Sequence, residues 1–175
     1  MLNLPSAYCP QCGAQAFHAH CQKSLICALC GFRYFHNVAA AVGALIYCQG
    51  KLLLVERGLE PSKGLLDVPG GFVDYGESIE QALRRELYEE LQLSAEQMIY
   101  VFSQPNTYLY KDVEYHTVDS FFLITLDHLP TLVLQESELS GYCWLSLDEI
   151  KPQMLAFASL KMAVKHLAEL QVLPD

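Results

Sequence analysis

The stretch from Pro69 to Leu93, PGGFVDYGESIEQALRRELYEELQL, constrains the fold of this chain more than any other. It opens on the pair Gly70-Gly71 and carries the carboxylates Glu77, Glu80, Glu86, Glu89 and Glu90. Ser78 with Gln81 three residues later has the form of a capping box, so the pattern predicts a helix starting at Ser78. Ile79, Ala82, Leu83, Leu87 and Leu91 recur at the intervals of one buried helical stripe. Glu86, Glu89 and Glu90 stand three and four residues apart and crowd one part of the same helix. Like charges so placed repel one another. A solvated acidic face would need neither a glycine turn nor a cap at fixed distances. A hard divalent cation reverses the sign, because magnesium takes clustered carboxylate oxygens.

A second pattern lies near the start. Cys9-Pro-Gln-Cys12 and Cys27-Ala-Leu-Cys30 are two C-x2-C pairs with 14 residues between them, a spacing that offers four thiolates to one tetrahedral zinc. Gly13 and Gly31 each follow the second cysteine of a pair, where a backbone wrapping a metal needs a permissive residue. Ser24–Ile26 and Phe32–Phe35 read as short strands, and the segment resembles a zinc ribbon. His18, His20 and Cys21 lie between the pairs and read as loop residues, with substitute ligation as the alternative. So short a segment buries little core, and zinc binding would be part of its folding free energy.

The remaining chain is sized for one ordinary core. With 11 basic against 20 acidic residues, its net charge of −9 disfavours a general nucleic-acid binder. No apolar run approaches the ~20 residues of a membrane span, and the start lacks the form of a signal peptide. Seven cysteines in that context point to a reducing, cytoplasmic setting with metal-bound or free thiols. A strand over 38–47, a turn at Gln49-Gly50 and a strand over 51–56 form a hairpin. Further strands are expected over 65–68 and 99–103, the latter ending at Gln104-Pro105-Asn106. A second hairpin is expected over 107–126 about a Lys111-Asp112 turn, then a strand over 142–145. Ser159 is expected to cap a last helix running through Leu170.

The central stretch resembles the Nudix box, G-x5-E-x7-R-E-U-x-E-E-x-G-U with U aliphatic. Gly71, Glu77, Arg85, Glu86, Leu87, Glu89, Glu90 and Leu93 hold its places in order, and Gln92 stands where a glycine is usual. That departure touches the helix exit and not the chemistry. The resemblance implies an α/β fold: a Nudix α/β/α sandwich with a mixed sheet over 37–175, preceded by a small zinc-ribbon domain over 1–36. It implies Mg²⁺ or Mn²⁺ held chiefly by Glu86 and Glu90, with Glu89 assisting and the Gly70 carbonyl as a further ligand. Glu77 and Arg85 match positions that pair to brace the glycine loop. Glu89, Glu90 and Glu138 are the catalytic residues so implied, Glu138 matching an acidic residue that ADP-ribose-type members carry before the tryptophan, here Trp144. Its neighbour Glu136 is a weaker match.

A ribbon joined to a Nudix domain is similar to NADH pyrophosphatases, which also read NAD-capped RNA, and to a shorter group that includes FAD/ADP-ribose pyrophosphatases. The former carry SQPWPFPxS; this chain has Ser103-Gln104-Pro105-Asn106-Thr107-Tyr108, without the aromatic-proline half. The resemblance therefore implies a pyrophosphatase acting on ADP-ribose or FAD, releasing AMP with ribose 5-phosphate or FMN. An NADH or NAD-cap pyrophosphatase is the alternative, and a non-catalytic ligand- or RNA-binding module is another. Zinc is expected to be structural, small nucleotides to be the ligands, no membrane to be engaged, and a homodimer stays open. Tyr108, Tyr110 and Phe122 are aromatic residues available for stacking on a base, with core packing as the ordinary role.

Overall fold

A computed structural model describes residues 8–111 and 113–169. The chain divides into two compact units, with the boundary in the sequence between Val38 and Ala39. In the first, β1 (Phe17–Cys21), β2 (Ser24–Cys27) and β3 (Arg33–Phe35) form an antiparallel sheet in that order. Strand β1 was not foreseen: His18, His20 and Cys21 lie on it, where a loop was expected.

The second unit holds a seven-stranded mixed sheet. Its main path runs β10 (Leu139–Leu145), β5 (Lys51–Arg57), β4 (Ala39–Cys48), β9 (Val113–Leu126) and β8 (Ile99–Tyr110). Strands β4 and β9 are parallel and the others antiparallel. Short strands β6 (Leu66–Asp67) and β7 (Gly70–Phe72) pair with β5 and β4. The β4–β5 turn forms as expected, with Gln49 and Gly50 both at positive φ, 48° and 77°.

Side-chain alternation sorts the sheet into two faces. Val42, Ala44 and Ile46 of β4, Leu53 and Val55 of β5, and Phe122 and Ile124 of β9 form one core with α1 (Ile79–Leu91). Leu45, Leu52, Leu54, Phe121 and Leu123 form the other with α2 (Ala158–Glu169). The result is the α/β/α sandwich with a mixed sheet. Helix α1 contributes Ala82, Leu83, Leu87 and Leu91, all at 0% exposure, with Ile79 partly buried beside them. No helix among the described residues is long and apolar enough to cross a membrane.

Two expectations need correction. Pro105 does not end a strand: β8 continues through it, paired to Val118. Strand β8 lies at the sheet edge, where a missing N–H leaves no outer neighbour unsatisfied. Ser159 does not cap α2. The helix already includes Ala158, and the Ser159 hydroxyl donates to Asp119 at 2.6 Å. Leu170 and Asp112 lie outside the described residues.

Candidate active site

The cysteine pairs fold as two matching knuckles. Gly13 N–H donates to Cys9 O at 2.8 Å and Gly31 N–H to Cys27 O at 3.0 Å, with the glycines at φ 71° and 75°. Backbone N–H groups of Cys30 and Leu29 point at the Cys27 sulfur and lower its pKa, against desolvation. The four sulfurs lie within 4.8 Å of one another, with the Cys9–Cys30 and Cys12–Cys27 pairs at 3.7 Å. A tetrahedron with Zn–S bonds of ~2.3 Å has edges of about 3.8 Å, so the set fits zinc in both donor type and size. His18, His20 and Cys21 are not part of this group.

In the second unit the site is built around the turn before α1. The capping box forms: Gln81 N–H donates to Ser78 Oγ at 3.3 Å and Ser78 N–H to Gln81 Oε1 at 2.8 Å. Strand β7 is fastened to β4, with Ala44 N–H on Pro69 O at 2.8 Å and Val73 N–H on Ala40 O at 3.0 Å. A Cβ on Gly70 would run into Val42 O, and one on Gly71 into the Glu86 carboxylate. Glycine is needed at Gly70, where the clash is with backbone, while a side chain at Gly71 would have to displace the Glu86 carboxylate. Arg85 ties loop to helix: it grips both Glu77 oxygens, at 2.8 and 3.0 Å, and donates to Phe72 O at 3.0 Å. This is the bracing geometry expected of that pair.

A cleft of about 380 Å³ opens beside this turn, and Gly70, Glu86, Glu90, Glu138 and Tyr108 are among the residues lining it. Glu90 is only 6% exposed, and one of its oxygens accepts from Gly70 N–H at 3.0 Å. Burial pushes its carboxyl up to about 8, with the charges of Glu86, Asp67 and Glu138 adding to the shift. Burial also raises Glu86, against the pull of the Arg85 guanidinium. Glu89 is not among the lining residues: it is half exposed and holds Arg85 at 3.0 Å. Its part in binding an ion is therefore the least prepared of the three.

Glu138 arrives by a route that sequence spacing does not reveal. The last carbonyls of a helix lack internal partners. Here Leu91 O accepts from Val133 N–H at 3.1 Å and Glu90 O from Gln135 N–H at 2.9 Å. The late loop thus docks on the exit of α1. Gln135 Nε2 then donates to Glu138 Oε1 at 3.0 Å, and Glu138 O receives Gly58 N–H at 2.6 Å. Glu136, the weaker match, does not line the cleft. Of the aromatic residues, Phe122 is core at 2% exposure and Tyr108 faces the cleft. The Tyr110 side chain lies outside those described.

Glu86, Glu90 and Glu138 line one cleft, two of them desolvated, and their oxygens are of the donor type a hard divalent cation takes, but they are not gathered into a group as close as the four sulfurs. Sequence reading missed a pair behind the turn, Asp67 and Arg57, joined at 3.0 Å. Burial raises Asp67 to about 6 despite that partner. A charged residue on a strand next to a glycine turn was its only local signal.

A sandwich of this topology, with glycine turn, braced helix and acidic cleft, defines a Nudix-type domain, and the model of the NUDIX domain matches residues 37–165. The chain belongs to the Nudix family. It is 24% identical over 161 residues to the NAD-capped RNA hydrolase NudC of Haemophilus influenzae, covering 91% of this chain and 58% of that protein. The chain thus spans a little over half the length of this relative. Among solved structures, the NUDIX domain of Shewanella oneidensis NrtR complexed with ADP ribose is 25% identical, with a TM-score of 0.65 over 77% of this chain and 89% of that one. A bifunctional NMN adenylyltransferase/ADP ribose pyrophosphatase from Francisella tularensis is 26% identical, with a TM-score of 0.62 over 78% and 42%.

Proposed function

We propose that this chain is a cytoplasmic pyrophosphatase that hydrolyses the diphosphate of a nucleoside diphosphate joined to another group, ADP-ribose or FAD. The products would be AMP with ribose 5-phosphate or with FMN. The observation that carries the reading is Glu90, a carboxylate buried to 6% exposure in one cleft with Glu86 and Glu138. Burying such a group costs several kcal/mol unless a partner compensates it, and one N–H from Gly70 is a small compensation. Glu86 and Glu90 would hold Mg²⁺ or Mn²⁺, with Glu138, Glu89 and the Gly70 carbonyl completing the set. The ion, when bound, supplies the positive charge that phosphate oxygens and an attacking water require.

The chain's own residues do the positioning. Arg85 locks the glycine loop to α1, so that Gly70 and Gly71 keep the backbone close to the carboxylates. Glu138 lines the cleft, is exposed and accepts a hydrogen bond from Gln135, which supports it as the group that would take a proton from water if it is not itself a metal ligand. Phosphoryl chemistry of this kind asks for in-line placement and charge stabilisation more than for covalent work.

Two structural neighbours support ADP-ribose, one solved with it and one described as its pyrophosphatase. The sequence relatives favour NAD-capped RNA as the second reading. Asn106 and Tyr108 on β8, in place of the aromatic-proline segment, weigh toward the first. A panel of ADP-ribose, FAD, NADH, NAD⁺ and NAD-capped RNA with Mg²⁺ or Mn²⁺ tests it. Higher kcat/KM for ADP-ribose or FAD than for NADH is expected. A preference for NADH or capped RNA of about tenfold or more would move the assignment to the second reading. No turnover of any compound would make the domain a binding module.

A further inference from the structure

A smaller cavity of about 100 Å³ adjoins the carboxylate cleft, sharing with it Arg57, Gly70, Gly71, Phe72 and Tyr108. Its shape follows from sheet register. Thr117, Asp119 and Phe121 alternate onto one face of β9, and the parallel neighbours of Asp119 and Phe121 on β4 are Ala41 and Gly43. Ala41 and Gly43 line the floor of the cavity, and above Gly43 the Val68 and Phe121 side chains pack so closely that a Cβ would press on both. The walls include Tyr108 and Phe157, whose rings lie 5.8 Å apart at 32°.

Asp119 is held at both of its carboxylate oxygens. Thr117 Oγ1 donates to its Oδ1 at 2.6 Å and Ser159 Oγ to its Oδ2 at 2.6 Å. Both hydroxyl residues are buried, at 3% and 2% exposure. A carboxylate accepts about four hydrogen bonds, so each oxygen keeps capacity for one more. Arg57, the arginine in the lining, is engaged by Asp67 at 3.0 Å and by Pro61 O at 2.8 Å, and it stacks 4.9 Å over the Phe157 ring. Among the described residues no cation pairs with Asp119.

We infer that Asp119, held by Thr117 and Ser159, is a specificity-determining residue that accepts a hydrogen bond from the N–H₂ of a planar ring lodged in this cavity. The reading rests on the proposed function, because the cavity adjoins the cleft in which the diphosphate would lie and so could take a ring from either end of the substrate. An exocyclic amine of a purine and a ring carboxamide share this chemistry. A ring with hydrogen there leaves the acceptor unpaired, and a ring carboxylate sets two anions against each other.

Calorimetric binding of two ligand pairs decides the matter: AMP against purine riboside 5′-monophosphate, and nicotinamide mononucleotide against nicotinic acid mononucleotide. The wild type is expected to bind the N–H₂ member of one pair at least about tenfold more tightly, which identifies the ring. Asp119→Ala should reduce that ratio to about two or less, and Asp119→Asn, which keeps one acceptor, should lower it at least about threefold. Thermal melts establish that the variants are folded, and the asparagine variant carries the test if the alanine one is not. An unchanged ratio in a folded variant, equal weakening of both members, or no preference in the wild type overturns the inference. These outcomes are separate from catalysis: loss of the proposed function appears as absent turnover with Mg²⁺ while binding still discriminates between the pairs.

Discussion

The four thiolates of the first unit and the carboxylates of the second reach their places by different routes. Each thiolate pair comes from one short turn, and the sulfurs already stand at the edge length of a zinc tetrahedron, 3.7 Å for two pairs. The carboxylates come from a helix and a loop some fifty residues apart, and they are held by other partners: Glu86 and Glu89 by Arg85, Glu90 by Gly70 N–H. A closed set of soft donors is a structural site, fixed by local backbone. An open, hard and repelling set is kept in place by the surrounding fold, which leaves it room for a substrate.

Metal removal tests this contrast most severely. Binding of structural zinc is worth about 10 kcal/mol or more in small domains and is part of their folding. The double variant Cys9→Ser/Cys12→Ser should therefore lose the zinc, by elemental analysis, and make the first unit sensitive to proteolysis. Hydrolysis should fall less than zinc content, because the acidic cleft belongs to the other unit. Full zinc occupancy in the double variant would mean that the ligand set is wrong.

Glu90→Gln gives the converse. Its amide is a poor ligand for a hard cation, and loss of several kcal/mol of charge stabilisation corresponds to about a thousandfold or more in kcat. The metal-free variant should be as stable as the wild type or more so, since a buried charge has been removed. Near-normal turnover would dismiss Glu90 from the site.

What could be read from the chain divides along the same line. The cap, the stripe and the start of α1, and the two cysteine knuckles, are patterns within a few residues, and they stand as expected. The errors come from tertiary partners. Pro105 looks like a strand end until β8 is seen at an edge, and Ser159 looks like a cap until Asp119 takes its hydroxyl. Strand β1 reads as loop because His18, His20 and Cys21 show no strand alternation, and its pairing with β2 makes it a strand. The docking of Val133 and Gln135 on the end of α1, which brings Glu138 to the cleft, has no local signature.

Titration sharpens the contrast at the next size of effect. Glu90 is raised from an ordinary 4.5 to about 8 in the folded protein, chiefly by burial. A raised carboxyl contributes stability that is fully present below the unfolded value and is lost as pH rises toward the folded one. The metal-free second unit should therefore become less stable between about pH 4.5 and 8, by a few kcal/mol at most. Saturating Mg²⁺ should raise Tm, and more at pH 8 than at pH 5, because the ion binds the deprotonated form. The Glu90→Gln variant should show a flatter profile in melts across this range. A wild-type Tm that climbs steadily from pH 5 to 8 without metal would contradict the assigned shift.

The smallest effect lies where the two regions treat the same backbone need differently. Gly13 and Gly31 take the left-handed turns after the cysteine knuckles, but the left-handed residue that closes α1 is Gln92, at φ 53°. Its N–H reaches Tyr88 O at 3.0 Å, which is the αL form of helix ending, and its side chain donates to the same carbonyl at 2.9 Å. A residue with a Cβ pays about 1–2 kcal/mol for that conformation, and the exposed side-chain hydrogen bond offsets part of it. Glycine would also lose more freedom on folding, which trims the gain. Gln92→Gly should therefore stabilise the protein by about 0.5–1 kcal/mol, a rise of roughly 1–4 °C in Tm, with kcat/KM unchanged. A lower Tm would show that the Gln92–Tyr88 contact outweighs the strain. It would also show that the helix carrying the carboxylates has its own means of termination, independent of the glycine that the knuckles require.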